Sequence, residues 1–464
     1  MDLEGFAKRM IECGVSEAQI MAEMTRRIME IKDISEESAA RISKAVIEEA
    51  KCTLPASEGC IDSDINSDYL QSVLKSVKSG VRVGEFGVGS RGRGDFHTHQ
   101  KIADIIGKTS AVADSSTMSD SGVVRIEDGR YIVVTVDGIH SRLSDFPFLA
   151  GFHVARAALR DVYVMGARPL ALFSDIHVAD DADVAKIFEH IAGISAVSEA
   201  VGVPLITGST LRIGGDMVIG TRMTGCAGAV GVATRIFTKS AAKPGDIILM
   251  SEGAGGGTIS TAALYNGEYD VVRETLNIKF LKACDAIIKN EIKIHTMTDI
   301  TNGGIRGDAN EIASVSGVKL VFYEEKIRSM VDRRVLDMLE KLKIDYLGVS
   351  LDSLLVICPE NEAEEVRRVV ERAGVRISEV GFVSSSAGED ACAEIVSSTD
   401  GTRRRLEPRF RESAYTPLKK VVGENVTETE YEKMRRLVES AAEAAIRKKE
   451  LVKMMLLTRS HEES

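Results

Sequence analysis

Short apolar runs of strand length, such as "YIVVTVDG" at 131–138 and "PLALFSDIHV" at 169–178, take turns with helical runs at 148–165 and 183–201. Runs of this length cannot bury themselves, so the alternation restricts the chain to sheets covered by helices, an α/β or α+β layer structure. A length of 464 residues exceeds one ordinary core and implies two or three domains. The Pro-Gly-Asp turn in "KSAAKPGDIILMSEGAGGG" launches a new buried strand and sets a domain boundary near 240. The expected organisation is a helical extension over 1–75, a first domain over 80–238, a second over 240–400 and a helix over 425–464. In the extension, "SEAQIMAEMTRRIMEIK" and "SEESAARISKAVIEEAK" each open on Ser with Glu in the first turn, a capping pattern.

Composition removes several functional classes. No run of about 18 apolar residues predicts a membrane span, and Asp2 and Glu4 stand where a signal peptide needs positive charge. Cysteines at 13, 52, 60, 226, 284, 358 and 392 form no C-x-x-C pair, so neither a disulfide framework nor a zinc module is expected, and a reducing cytoplasm fits. A formal charge of −11 argues against nucleic-acid binding.

The local exception is "FGVGSRGRGDFHTHQKIADIIGK". Gly87, Gly89 and Gly92 satisfy G-x-G-x-x-G with Asp114 about 20 residues on, the pattern of a dinucleotide crossover. That unit needs a strand leading in and a helix inside the glycine triplet, whereas "SRGRGD" is read as continued loop. Two readings stand beside it: a basic loop whose backbone N–H groups, with Arg91, Arg93 or Lys101, close over an anion, and a surface turn that needs positive φ at Gly87, Gly89, Gly92 and Gly94.

Acidic residues supply the second signal. Asp137 ends an apolar strand at a glycine turn, where ligands of open sheets sit, with His140 close behind as an acid/base candidate. Asp161 projects from the mostly apolar helical run 148–165, where burial without a cation would be costly. Asp175 and His177 share a strand face with Phe173, and Asp299 stands beside a glycine turn at a helix entrance. Each is a cap or salt-bridge partner when taken alone. Together with a basic glycine loop they match what nucleotide·Mg²⁺ binding needs, hard oxygen ligands bridging metal to phosphate.

The ordered blocks "VTVDGIHS", "LRDVYVMGARPLALFSDIHV", "KSAAKPGDIILMSEGAGGG", "DITNGGIRGDANEIASVSGVKLVFYEEKI" and "LGVSLDSLLVICPE" resemble those of the aminoimidazole ribonucleotide (AIR) synthase superfamily. Its members include the hydrogenase maturation protein HypE, thiamine-monophosphate kinase and selenophosphate synthetase. The resemblance spans about residues 80–400 and implies an α+β, PurM-like two-domain core with the terminal helices appended. It further implies a homodimer built through the first domain's sheet, and ATP·Mg²⁺ held by aspartates. Carried over, Asp120, Asp137 and Asp161 are metal ligands, Asp137 and His140 catalytic candidates, and Ser209, Thr210 and Asp299 nucleotide contacts. The glycine loop then falls over the triphosphate.

The departures point away from two members. "TGSTLR" puts Ser209 where relatives carry an acid, "LLTRSHEES" lacks HypE's terminal cysteine, and no cysteine lies between 61 and 225 where selenophosphate synthetase uses one. The resulting expectation is an ATP- and Mg²⁺-dependent enzyme that activates an oxygen of a small metabolite or protein group by phosphoryl transfer. The alternative is a nucleotide-binding regulatory or assembly protein with little turnover, motivated by Ser209 and the added helices.

Overall fold

The structure is a computed structural model that describes residues 1–58, 68–301, 303–386, 391–397, 399–412, 414–423 and 425–462; Cys60 and the end of the predicted 1–75 extension's first stretch, 59–67, lie outside the described residues. The β-type runs form two sheets. Strands β1 (Gly122–Arg125), β2 (Tyr131–Gly138), β3 (Arg168–Val178), β4 (Leu205–Arg212) and β5 (Met223–Ala233) lie in the order β1-β2-β5-β3-β4. Only β3 and β4 run parallel. Strands β6 (Ile247–Ser251), β7 (Thr296–Ile300), β8 (Lys319–Tyr323), β9 (Ser353–Cys358), β10 (Ile377–Ser384), β11 (Ala393–Val396) and β12 (Arg403–Arg405) follow as β12-β11-β8-β10-β6-β9-β7. The α+β two-sheet architecture is the one expected.

The helices used below are α1 (Leu3–Glu12), α2 (Glu17–Ile31), α3 (Glu36–Glu58), α4 (Asp68–Leu74), α5 (Val83–Phe86), α6 (Arg93–Ile106), α7 (Pro147–Val164) and α8 (Ala185–Val201). Pro147 starts α7, a position that costs no hydrogen bond because the first helical N–H groups have no partner. Helix α7 is apolar nearly all round because it lies between the sheets. Ala155, Leu159 and Val162 share one core with Leu172 and Ala229 of the first sheet and with Met297, Leu354 and Val356 of the second. On β3, Leu172, Ser174, Ile176 and Val178 face this core, while Phe173, Asp175 and His177 face outward, as period 2 dictates. The outward face carries Val134, Val136 and Leu211, exposed by 40%, 60% and 54%.

Helices α1–α3 pack a small core of their own, with Leu3, Ile20, Met24, Ile28 and Ile47, closed by Ile219 of the first domain. Ser16 caps α2 together with Gln19, and Lys32 ties α2 to Asp180 and Asp181. A long C-terminal helix, Glu428–Glu462, stacks Tyr431 on Phe86 with ring centroids 6.2 Å apart and lies along α6. No helix among the described residues is long and apolar enough to cross a membrane.

The glycine loop decides against one of its readings and corrects another. "VRVGEF" is a helical turn, α5, closed by Gly87 at φ +75°, so no strand leads into the glycine loop and the dinucleotide crossover is absent. Conversely, α6 begins at Arg93, inside the stretch read as continued loop. Asp95 explains the early start: its carboxylate accepts the N–H groups of Gly89 at 2.7 Å and Arg91 at 2.9 Å, folding the loop onto its own first helical turn.

Candidate active site

One cavity of about 1000 Å³ opens between the two sheets under the glycine loop. Asp120 precedes β1, Asp137 ends β2, Asp161 projects from α7, Asp299 comes from β7 and Asp352 immediately precedes β9; all five line it. Gly87, Gly89 and Arg91 line it from above, and His140 lines the side.

Buried acids need cations, and the fold supplies most of them. Lys239 is 3% exposed and reaches Asp120 at 2.8 Å and Glu311 at 2.7 Å. Arg160 pairs with Asp299 and, at 2.8 Å, with Asp352; Arg156 also pairs with Asp352 and donates to the carbonyls of Thr275 and Asn277. Asp352 sits at φ +54°, a strained backbone for a non-glycine residue, held there by its two arginines. Arg91, at φ +56°, extends toward Glu311 at 3.6 Å.

Asp137 and Asp161 are left short of positive charge. Asp161 accepts from Thr135 at 3.2 Å and has Arg160 only at 4.0 Å. Burial, then Asp299 and Asp137, push its carboxyl well above the usual range. Asp137 is raised by burial, with Arg160 the largest opposing influence. Two carboxylates of this kind, facing one cavity, suit a divalent cation that shares its remaining positions with water and phosphate oxygens, the usual mode for Mg²⁺. Among the described residues no three His, Cys, Asp or Glu side chains are already set to ligate one ion, because Asp120 and Asp299 are engaged by Lys239 and Arg160.

His140 is neutral at physiological pH: burial, then Lys419 and Arg142, bring it down to about 4. Its tautomer follows from its neighbours. Thr261 gives its hydroxyl proton to the Gly257 carbonyl at 2.7 Å, so it accepts from His140 Nδ1 at 3.1 Å; Nε2 then accepts from the Tyr415 hydroxyl at 2.8 Å.

Several expected contacts lie elsewhere. Arg93 turns away to pair with Glu428 at 2.9 Å and to cover the Tyr431 ring, and Lys101 pairs with Asp104 at 2.6 Å on the surface. Gly92 and Gly94 pack against the backbone of Phe410 and Phe86 instead of facing the cavity. Ser209 and Thr210 lie exposed on the edge strand β4, with Ser209 opposite Asp175. The backbone N–H groups reserved for an anion at Gly89 and Arg91 are held by Asp95.

Lys239, Glu311, Arg156, Arg160 and Asp352 were not singled out from the sequence. For the α7 pair the signal exists: His153, Arg156, Arg160 and Asp161 recur at helical spacing in an otherwise apolar run, marking one polar stripe. For Tyr415 and Lys419, which also line the cavity, none does, since Tyr415 meets its partner His140 across 275 residues and Lys419 packs on the Tyr415 ring.

Residues 118–230 match the AIR synthase related protein N-terminal domain, and residues 243–391 match its C-terminal domain. The chain belongs to the AIR synthase-related family. An uncharacterized protein of Methanocaldococcus jannaschii is 50% identical over 467 residues, 99% of both chains. A selenide, water dikinase of Geobacter metallireducens is 31% identical over 258 residues, 54% of this AIR synthase-related chain and 70% of its own. That of Myxococcus xanthus is 27% identical over 61% of its length. Among solved structures, HypE in its complex with HypF superposes with a TM-score of 0.54 at 21% identity, covering 67% of this chain and 98% of HypE. HypE in complex with ATP gives 0.51 at 20% identity, over 60% and 84%. These structures establish the shared two-domain fold.

Proposed function

We propose that this AIR synthase-related protein is an ATP- and Mg²⁺-dependent enzyme that transfers a phosphoryl group to an oxygen of a small metabolite or protein group. The observation that carries the reading is the convergence of Asp120, Asp137, Asp161, Asp299 and Asp352 on one cavity beneath the glycine loop. The likeness to selenide, water dikinases and to a HypE structure in complex with ATP supports it. Asp137 and Asp161 are the proposed ligands of Mg²⁺, with Asp120 available as a third if Lys239 moves to the phosphates. When bound, Mg²⁺ neutralises charge on the polyphosphate. Arg91 and Lys239 neutralise the rest, and Arg160 holds Asp299 and Asp352 in place. In the transfer, a bond forms between the acceptor oxygen and the γ-phosphorus while the bond from that phosphorus to the β–γ bridging oxygen breaks. ADP leaves with the electron pair, and Asp137 takes the acceptor's proton. His140, with both ring nitrogens engaged, acts through Tyr415.

We further read residues 80–238 as the nucleotide-binding and dimerisation unit and 240–400 as its α/β partner. The exposed outer face of the first sheet supports a homodimer.

Phosphorus NMR of the protein with ATP, Mg²⁺ and a panel of hydroxyl and carboxyl metabolites tests the enzyme reading. ADP formation that one acceptor stimulates, and that Asp137→Asn lowers by about a hundredfold or more, the range for losing a general base, is expected. Tight ATP binding without any ADP across the panel refutes turnover and leaves a regulatory binder.

A further inference from the structure

Charge in the cavity is divided unevenly, and the division singles out a segment beyond the family match, which ends at residue 391. Residues 409–412 and 414–423 run back from the second domain as a strap. The Arg409 carbonyl accepts from the Arg93 N–H at 2.9 Å, and the Glu412 N–H donates to Ser90 at 3.3 Å, so the strap pins the glycine loop. It then delivers Arg411, Tyr415 and Lys419 to the cavity wall.

On the acid side every lining cation has a carboxylate: Lys239, Arg160, Arg156 and Arg91 are all paired. On the strap side none is. Lys419 Nζ lies 4.2 Å from the Tyr415 ring centroid, and burial, then Arg142, bring its amine down to about 8. Arg142 donates to the Thr416 hydroxyl at 3.2 Å and covers the Tyr265 ring. Arg411 donates to the carbonyls of Glu85 and Val422, and its Nε is buried without a partner. Among the described residues no carboxylate forms an ion pair with any of the three. Holding Lys419 close to Arg142 in a half-buried wall, with Arg411 lining the same cavity, is unfavourable unless an anion joins them. His140 joins the wall to the rest of the cavity: it accepts from the Tyr415 hydroxyl at 2.8 Å and lines the same cavity as Asp137.

We infer that Lys419, Arg142 and Arg411 form the binding subsite for an oxyanion, carboxylate or phosphate, on the acceptor molecule, with the strap setting acceptor specificity. This deepens the phosphoryl-transfer reading and rests on it for the word acceptor, though not for the subsite. The acceptor's anion seats on the strap wall, and its reacting oxygen points past Tyr415 toward the carboxylates.

Calorimetric titration of inorganic phosphate, and separately acetate, into the full chain tests this, with and without Mg²⁺ and a non-hydrolysable ATP analogue. Saturable uptake of at least one probe is expected, phosphate or acetate identifying the preferred anion. Lys419→Met and Arg142→Met should each weaken uptake about tenfold, the order of one charge-assisted hydrogen bond, while analogue affinity stays within about twofold. Lys419→Arg should recover most of the loss, which separates charge from folding damage. Absence of uptake by the wild type overturns the subsite, as does uptake that Lys419→Met leaves unchanged. Equal weakening of the analogue and the probes also overturns it, because the cations would then serve the polyphosphate. Uptake that depends on Lys419 in a protein that never binds the analogue upholds the subsite and sinks the phosphoryl-transfer reading alone.

Discussion

Glycines of one loop do different work according to what a side chain would meet. Gly89, at φ +77°, has open space around it, so Gly89→Ala incurs only the left-handed backbone penalty, on the order of 1–2 kcal/mol. Gly94 lies inside α6, where a methyl would run into the Phe86 carbonyl oxygen and crowd the Phe410 ring, so the helix must shift. Thermal unfolding should show Gly94→Ala as the more damaging of the two, with a cost of about 3 kcal/mol, the upper end of the range for overpacking. A buried histidine sets a second residue-scale effect. His190 is fully buried on the Pro147 carbonyl, and desolvation brings its imidazole from 6.5 down to about 4. The folded form therefore binds its proton less readily than the unfolded form, so this contribution is intact above pH 6.5 and is lost as the pH falls toward 4. The size is roughly 3 kcal/mol at the acid end. Removing the titrating ring in His190→Asn should flatten the fall of Tm between pH 6.5 and 4; an unchanged slope would show that the ring titrates normally.

At the scale of elements, α7 and the C-terminal helix position the cavity. The polar stripe of α7 looked costly in the sequence because Asp161 seemed to need a cation; the same helix carries Arg160 one residue earlier, yet that guanidinium stays 4.0 Å away and is committed to Asp299 and Asp352. Which acids Arg160 meets was not legible, since Asp299 and Asp352 arrive from another sheet. The C-terminal helix looked like a packing helix by its amphipathic pattern, and it does pack; its target is the base of the glycine loop, through Tyr431, Phe86 and Phe410. Tyr431→Ala should lower stability by roughly 3 kcal/mol, as for other buried aromatic truncations. Because Phe86 leads directly into the loop, limited proteolysis should then cut within 87–92 at a protease level that spares the wild type.

At the scale of the whole molecule, the outer face of the first sheet is open and apolar while its inner face is packed. If that face is the dimer surface, Val136→Glu places charge in the middle of it. Analytical ultracentrifugation should then show a dimer for the wild type and a monomer for the variant, with little change in Tm because Val136 is 60% exposed in the single chain. A wild type that sediments as a monomer at micromolar concentration removes the dimer reading. Strand positions, the helix run 148–165 and the convergence of Asp137 and Asp161 followed from the chain itself, because period, turn residues and the cost of burying charge are local properties. The pairing of Asp120, Asp299 and Asp352 with their cations, the self-capping of the glycine loop by Asp95, and the strap that brings Tyr415 against His140 were decided only in three dimensions. The acid–cation and strap contacts join residues far apart in the chain, and no local pattern records which distant charge or hydroxyl will meet which once the layers have packed; the Asp95 cap is local, and it is hidden in the sequence because the loop reads as continuing past Arg93.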